Sequence, residues 1–552
     1  MKTKAINKST IIFFASLFLL FMQFNGFSQV KEREIPKEWE KLVEGGRFRD
    51  LFLPMQGSKK QKVGNWGAEA VKYRFVDNGI EDHTNSYWGG NIKFADGKYH
   101  LFVCGWPESS SKGHMAWPGS IVYHTVSKDI HGPYKIVDTI GKGHNPEIFQ
   151  AKNGSYILYV IDGSYRSKSL NGPWVYEKLS FDKRDRPIIE GLSNLTFAKR
   201  EDGSQLMVCR GGGIWFSETG GSSYQQVSNQ RVYPPVEGEF EDPVVWKDHI
   251  QYHLIVNDWL GRIAFYLRSP DGINWVTDPG QAYTVGIAKH KDGTSEDWFK
   301  YERIKIFQDD LGRAISANFA VIDTIKWEDK PNDKYSSKNI IIPLRKPLLL
   351  EYLNAGLPQD NEEIRILVKS EKGFNAAKDL DLASIRFGAN DAVNYGAGSK
   401  ILRTEKAKDG LILIFDSKGY QLKQDEFAPK LLGKNKKGGL VFGYTRVPWA
   451  QYEKGILSAR KPIIKSENAQ SHAQIILENF GTRASKAATI QLFQVKEGKR
   501  KLLGESKFDS IQPYAKREVE IKLNDYESSN DFILVIDEPE SKINEWSFKL
   551  ND

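Results

Sequence analysis

NPEIFQAKNGSYILYVI, residues 145–161, decides how the N-terminal half of this chain is read. A polar residue opens the stretch and a short apolar run follows. Asn153-Gly154 then turns the chain and a second apolar run brings it back. Asn-Gly between two such runs is a hairpin signature, because a tight hairpin turn needs residues that tolerate positive φ. The same grammar recurs in NIKFADGKYHLFVCG from Asn91, NLTFAKREDGSQLMVCR from Asn194, DPVVWKDHIQYHLIVND from Asp242 and ERIKIFQDDLGRAISANF from Glu302. Successive copies start 54, 49, 48 and 60 residues apart. Periods of this size mark repeat architectures in which each copy is one supersecondary unit.

Three copies run on into a third strand and a turn: HGPY at 131–134, NGPW at 171–174 and DGINW at 271–275. A small antiparallel sheet repeated about an axis is a propeller blade. The sequence therefore predicts an all-β chain: a five-bladed β-propeller over residues 29–344, followed by two immunoglobulin-like β-sandwich domains at 345–464 and 465–552. The first sandwich is read from EIRILVK (363–369), LILIFDS (411–417) and LVFGYTRV (440–447). The second is read from AQIILENFG (473–481), ATIQLFQV (488–495), REVEIKL (517–523) and DFILVID (531–537).

Residues 1–28 read as a cleavable signal peptide. Lys2, Lys4 and Lys8 precede an apolar run from Ile11 to Met22, and small residues follow near Gly26 and Ser28. The expected location is secreted or periplasmic. The run is short for a membrane span, and no later stretch is long and apolar enough to cross a bilayer. The formal net charge of +8 on 552 residues falls to +5 without the signal and is scattered, which excludes a nucleic-acid footprint and suits an anionic substrate. Only Cys104 and Cys209 occur, and they read as two buried thiols. No metal site or cofactor is expected, and the sequence is silent on oligomeric state.

In a propeller the start of each inner strand and the end of the next strand meet at one face near the axis. The repeat register gathers Asn91, His144, Asn145, Asn194, Glu241, Asp242 and Glu302 at that mouth. Arg210 arrives from a second strand, and Trp88 and Tyr165 stand nearby. The recurring DP-type strand, over roughly residues 85–330, resembles the five-bladed glycoside hydrolases of family 43. That resemblance implies paired carboxylates for acid–base work on a glycosidic bond. Here amides occupy three of the expected places, leaving Glu241 or Asp242 to pair with Glu302. His124, His144 in GHNPE and Arg210 resemble the His-based propeller lyases that degrade ulvan, and the related oligosaccharide dehydratase. That second resemblance implies β-elimination at a uronic acid. His144 would be the base, His124 its partner or the acid, and Arg210 the group that neutralises the uronate. The remaining residues would bind an acidic oligosaccharide. Glycoside hydrolysis and non-catalytic glycan binding are the alternative readings.

Overall fold

The computed structural model describes residues 30–549 except 57–76, 83, 190, 222, 297, 332–336, 360, 417, 468–469, 526, 528–530 and 539–544. The expected signal peptide lies outside the described residues. The described residues are mostly β-strand with a few short helices.

Among the described residues, five sheets follow one another between Asn85 and Pro343. The first comprises Asn85–Ala95, Lys98–Pro107, Ile121–Ser127 and Lys135–Lys142. The second comprises Glu147–Gln150, Tyr156–Val160, Gly163–Ser167 and Val175–Glu177. The third runs from Thr196–Lys199 to Tyr224–Gln226 and takes Phe181–Asp182 as a parallel outer strand. The fourth begins with Phe240–Lys247 and Tyr252–Asp258, and the fifth is Lys300–Gln308, Ala314–Ile322 and Ser337–Pro343. Each repeat quoted above forms the first two strands of one sheet.

The opening strands of these sheets pack in a circle. Those of the first and second, third and fourth, fourth and fifth, and fifth and first sheets lie side by side. The second reaches the third through Glu147, whose carboxylate accepts from Thr196 Oγ1 at 3.1 Å and the Phe197 N–H at 3.0 Å. Lys305 crosses from the fifth sheet to the other oxygen of Glu147. Burying these charges is tolerated because each has a partner. The circle is latched from outside: Ile80, upstream of the first sheet, bridges to Asn339 on the last strand of the fifth.

Beyond the circle, residues 350–444 form one continuous seven-stranded sheet, not the two separate sheets of the expected sandwich. The sheet folds back on itself. Ile366, Leu413 and Phe415 from one half share a core with Phe387, Leu431 and Val441 from the other. Residues 457–549 form two four-stranded sheets around a common core. Ile463–Glu467 and Leu457–Ala459 both pair with Gln470–Asn479, so they belong to this last pair of sheets. Arginines dock this unit on the circle. Arg184 pairs with Glu478, Arg186 Nη2 donates to Ala459 O at 2.8 Å, and Arg200 Nη1 donates to Phe480 O at 2.8 Å.

Candidate active site

The five sheets share a backbone device at the mouth. Gly89, Asn145, Asn194, Asp242 and Arg303 all have left-handed φ, of 64°, 54°, 50°, 53° and 50°. In the first, fourth and fifth sheets the ladder slips at this point, between Trp88 and Asn91, Glu241 and Val244, and Glu302 and Lys305. A slip of this kind re-aims the side chains beside it. Asparagine and aspartate tolerate the conformation best after glycine; arginine does not favour it and is held there by its bonds.

Those five residues close a ring. Asn145 Nδ2 donates to Asn194 Oδ1 at 3.0 Å, and Asn194 Nδ2 donates to Asp242 Oδ1 at 2.9 Å. Arg303 donates to Asp242 from Nη1 at 3.0 Å and from its main-chain N–H at 3.2 Å. Gly89 fills the remaining gap: a Cβ there would stand 3.6 Å from Asn145 Cα and 3.9 Å from Arg303 Cβ.

This geometry corrects the register drawn from sequence. Asn91 is not the equivalent of Asn145; Gly89 is. Asn91 lies two residues further on and bonds both main-chain groups of Ile148, tying the first sheet to the second. Glu302 is not the equivalent of Asp242; Arg303 is, and Glu302 matches Glu241. The position just before the left-handed residue is therefore Trp88, His144, Ser193, Glu241 and Glu302, one per sheet.

The acidic members are differently placed. Glu302 is buried, with Oε2 2.5 Å from Lys326 Nζ and Oε1 3.9 Å from Lys300 Nζ. Glu241 lines a cleft of about 220 Å³ with Trp117, Trp259, Phe299, Trp327, Lys300 and Lys326. It accepts from Asn194 Nδ2 at 2.9 Å, and Arg210 Nε lies 3.7 Å away. Burial first, then Asp242 and Glu302, push the Glu241 carboxyl up to about 7 against the pull of Lys326 and Arg210. Burial opposes the charge of Lys326, but Glu302 and Glu241 outweigh it and hold the ammonium above its usual range. Its Nζ also sits 5.1 Å above the Trp88 ring. Burial pushes Lys300 down.

His144 stands at the same level on the second sheet. Nδ1 lies 2.9 Å from Ser120 Oγ, and the ring packs on Trp117 at 4.7 Å between centroids. Burial, then Arg303 and Lys326, hold it well below the usual imidazole range, so it is neutral.

His124 is not with it. Its ring lies flat on Phe102 at 4.7 Å, and Nε2 meets His100 Nδ1 at 2.8 Å. Burial, then His100, push it down to about 4. Two imidazoles sharing one hydrogen bond inside an aromatic stack form a packing device, and the expected His124–His144 pair is absent. Tyr165 is likewise away from the mouth: its hydroxyl donates to Lys142 O at 2.7 Å and its ring meets Tyr176. Trp88 is buried against His114 and forms a wall beneath Lys326. Asp242, Asn145 and Asn194 are consumed by the ring. Sequence reasoning missed Lys300, Lys326, Trp117, Trp259 and Trp327. All five lie in or beside loops between repeat strands, where no repeat position gives them away.

No protein-family model matches the chain, and no curated protein does. Among solved structures it is similar to a glycoside hydrolase at 11% identity and TM-score 0.34, with 80% of this chain and 97% of that one covered. It is also similar to a glycoside hydrolase family 43 arabinoxylan arabinofuranohydrolase from Bacillus subtilis, in complex with cellotetraose, at 12% identity and TM-score 0.34, covering 85% and 95%. A family 43 protein from Bacillus licheniformis follows at 10% identity and TM-score 0.31, covering 82% and 87%. Likenesses this distant decide nothing about chemistry, which rests on the side chains above.

Proposed function

We propose that this chain is a five-bladed β-propeller enzyme that hydrolyses glycosidic bonds in an acidic oligosaccharide outside the cytoplasm. The carrying observation is a pair of glutamates at equivalent positions of neighbouring sheets with opposed environments. Glu241, pushed up to about 7, keeps a proton for the departing glycosidic oxygen. Glu302, ion-paired with Lys326, supplies fixed negative charge beside it. A carboxyl that burial leaves protonated, beside a second one held in an ion pair, is the pattern of acid and partner in glycoside cleavage. The tryptophans of the cleft offer flat apolar faces to sugar rings. Lys300, Lys326 and Arg210 favour a substrate that carries its own negative charge. The folded-back sheet and the final pair of sheets are read as accessory domains.

The test is a panel of neutral and acidic oligosaccharides assayed for new reducing ends. Glu241→Gln should lose at least about 100-fold in turnover, the usual scale of general acid catalysis. Reducing ends released equally by Glu241→Gln would refute the reading. Binding without turnover by any panel member would mark a glycan-binding protein instead.

One observation favours a second reading, β-elimination at a uronic acid: His144 is a neutral imidazole at the mouth. It would take the C5 proton as the C4–O bond breaks, with Arg210 or Lys326 on the carboxylate. His124 has no part in it. Near-ultraviolet absorbance from a C4=C5 double bond, lost in His144→Ala and kept in Glu241→Gln, selects this reading; its absence removes it.

A further inference from the structure

Counting hydrogens around His144 fixes which ring nitrogen carries the proton. Nδ1 lies 2.9 Å from Ser120 Oγ and 3.5 Å from Cys104 Sγ. Each of these groups owns one hydrogen. Ser120 Oγ donates to the Trp117 carbonyl, and Cys104 Sγ donates to the Trp88 carbonyl at 3.1 Å. A carbonyl has no hydrogen to give, so both contacts run in one direction only. With their hydrogens spent, serine and cysteine face Nδ1 with lone pairs alone.

The frame around them is fixed. Gly143 N–H donates to Ser120 O at 3.0 Å, and Ile161 N–H donates to His144 O at 3.0 Å, locking both main chains. Ser120 and Cys104 are buried whereas the imidazole is only partly so, and the Trp117 ring that packs on it lines the cleft. Nε2 has no partner among the described residues.

We infer that Ser120, backed by Cys104, is a positioning residue that holds His144 as the Nδ1–H tautomer and leaves the Nε2 lone pair facing the cleft as an acceptor for a substrate hydroxyl. The use made of Nε2 rests on the glycan reading above; the tautomer does not. A neutral acceptor at this point would add to Glu241 a second acceptor beside a cleft whose two ammonium groups, Lys300 and Lys326, can only donate. Ser120 thereby acts on recognition without touching the ligand.

The experiment is ring-nitrogen NMR on the full chain with 15N-labelled histidine, feasible with ten histidines, using His144→Gln for assignment. At pH 7 without ligand, the wild-type spectrum should show the proton on Nδ1 and a bare Nε2. Ser120→Ala should lower the Nδ1–H to Nε2–H ratio about five- to tenfold, the loss of one buried hydrogen bond, and Ser120→Thr should restore it. A wild-type ring protonated on Nε2 overturns the inference without need of any variant. So does a ratio unchanged in Ser120→Ala. Failure to turn over any glycan would sink the functional reading and leave this spectrum as it is.

Discussion

Replacing Glu241 by glutamine tests the electrostatic heart of the cleft through stability alone. The folded protein holds the Glu241 proton to about pH 7, whereas the unfolded chain releases it near 4.5. Between those values the folded state binds more protons, so stability falls as pH rises. A displacement of this size, at about 1.4 kcal/mol per pH unit, corresponds to about 3 kcal/mol lost by pH 8. Glutamine never ionises, and its Oε1 still accepts from Asn194. The variant should match the wild type at pH 4.5 and exceed it by about 3 kcal/mol at pH 8. For a unit the size of the five-sheet circle that is a rise in Tm of about 6–12 °C. Thermal scans by near-ultraviolet circular dichroism at half-unit steps from pH 4.5 to 8 measure it. A difference between the two proteins that does not change with pH would refute the claim that burial and Asp242 load this carboxyl.

Four further outcomes follow from the geometry. Arg210→Ala removes a cation 3.7 Å from Glu241; because Arg210 is partly exposed and screened, the Glu241 titration, followed by carboxyl 13C NMR, should move up by only about half a pH unit, while Arg210→Lys should leave it nearly in place. His124→Gln should lower stability by about 1–3 kcal/mol through loss of the Phe102 stack and the His100 bond, read as a lower Tm, with turnover kept within about threefold; a collapse of turnover in a folded variant would return His124 to the site. Gly90→Ala should cost about 3 kcal/mol or more, because φ is 90° and a Cβ would fall 2.1 Å from Phe102 O; wild-type Tm would contradict it. Arg184→Met leaves Glu478 buried with fewer partners and should cost about 3 kcal/mol, seen as early release of the C-terminal unit in limited proteolysis.

The hairpins were legible because their period-two apolar runs and turn residues are local signals, and every quoted repeat became the first two strands of one sheet. The mouth was harder. Asn145, Asn194 and Asp242 announce a left-handed position by their chemistry. Gly89 and Arg303 fill the same position with residues that share nothing with them, so a register drawn on polar identity slipped by two residues at Asn91 and by one at Glu302. Glu241 was named, but its environment depends on Lys326 and Arg210, which arrive from other parts of the chain. His124 carried no local sign that His100 would claim it. The runs at 363–369, 411–417 and 440–447 showed that strands exist, but not that Leu380–Gly388 and Ser399–Lys406 would pair and weld two sheets into one. Edge pairing is a tertiary choice and leaves no mark in a single strand.

The latch between Ile80 and Asn339, with Arg303 reaching back to Asp242 and Lys305 to Glu147, has a consequence for biosynthesis. The first sheet is made early, yet its neighbour on one side is translated last. Until the strand ending at Pro343 is made, a growing chain carries an open flank on its first sheet, and Glu241 gains Glu302 and Lys326 only as the fifth sheet is synthesised. The cleft is therefore completed only with the fifth sheet, near the end of synthesis of this half of the protein.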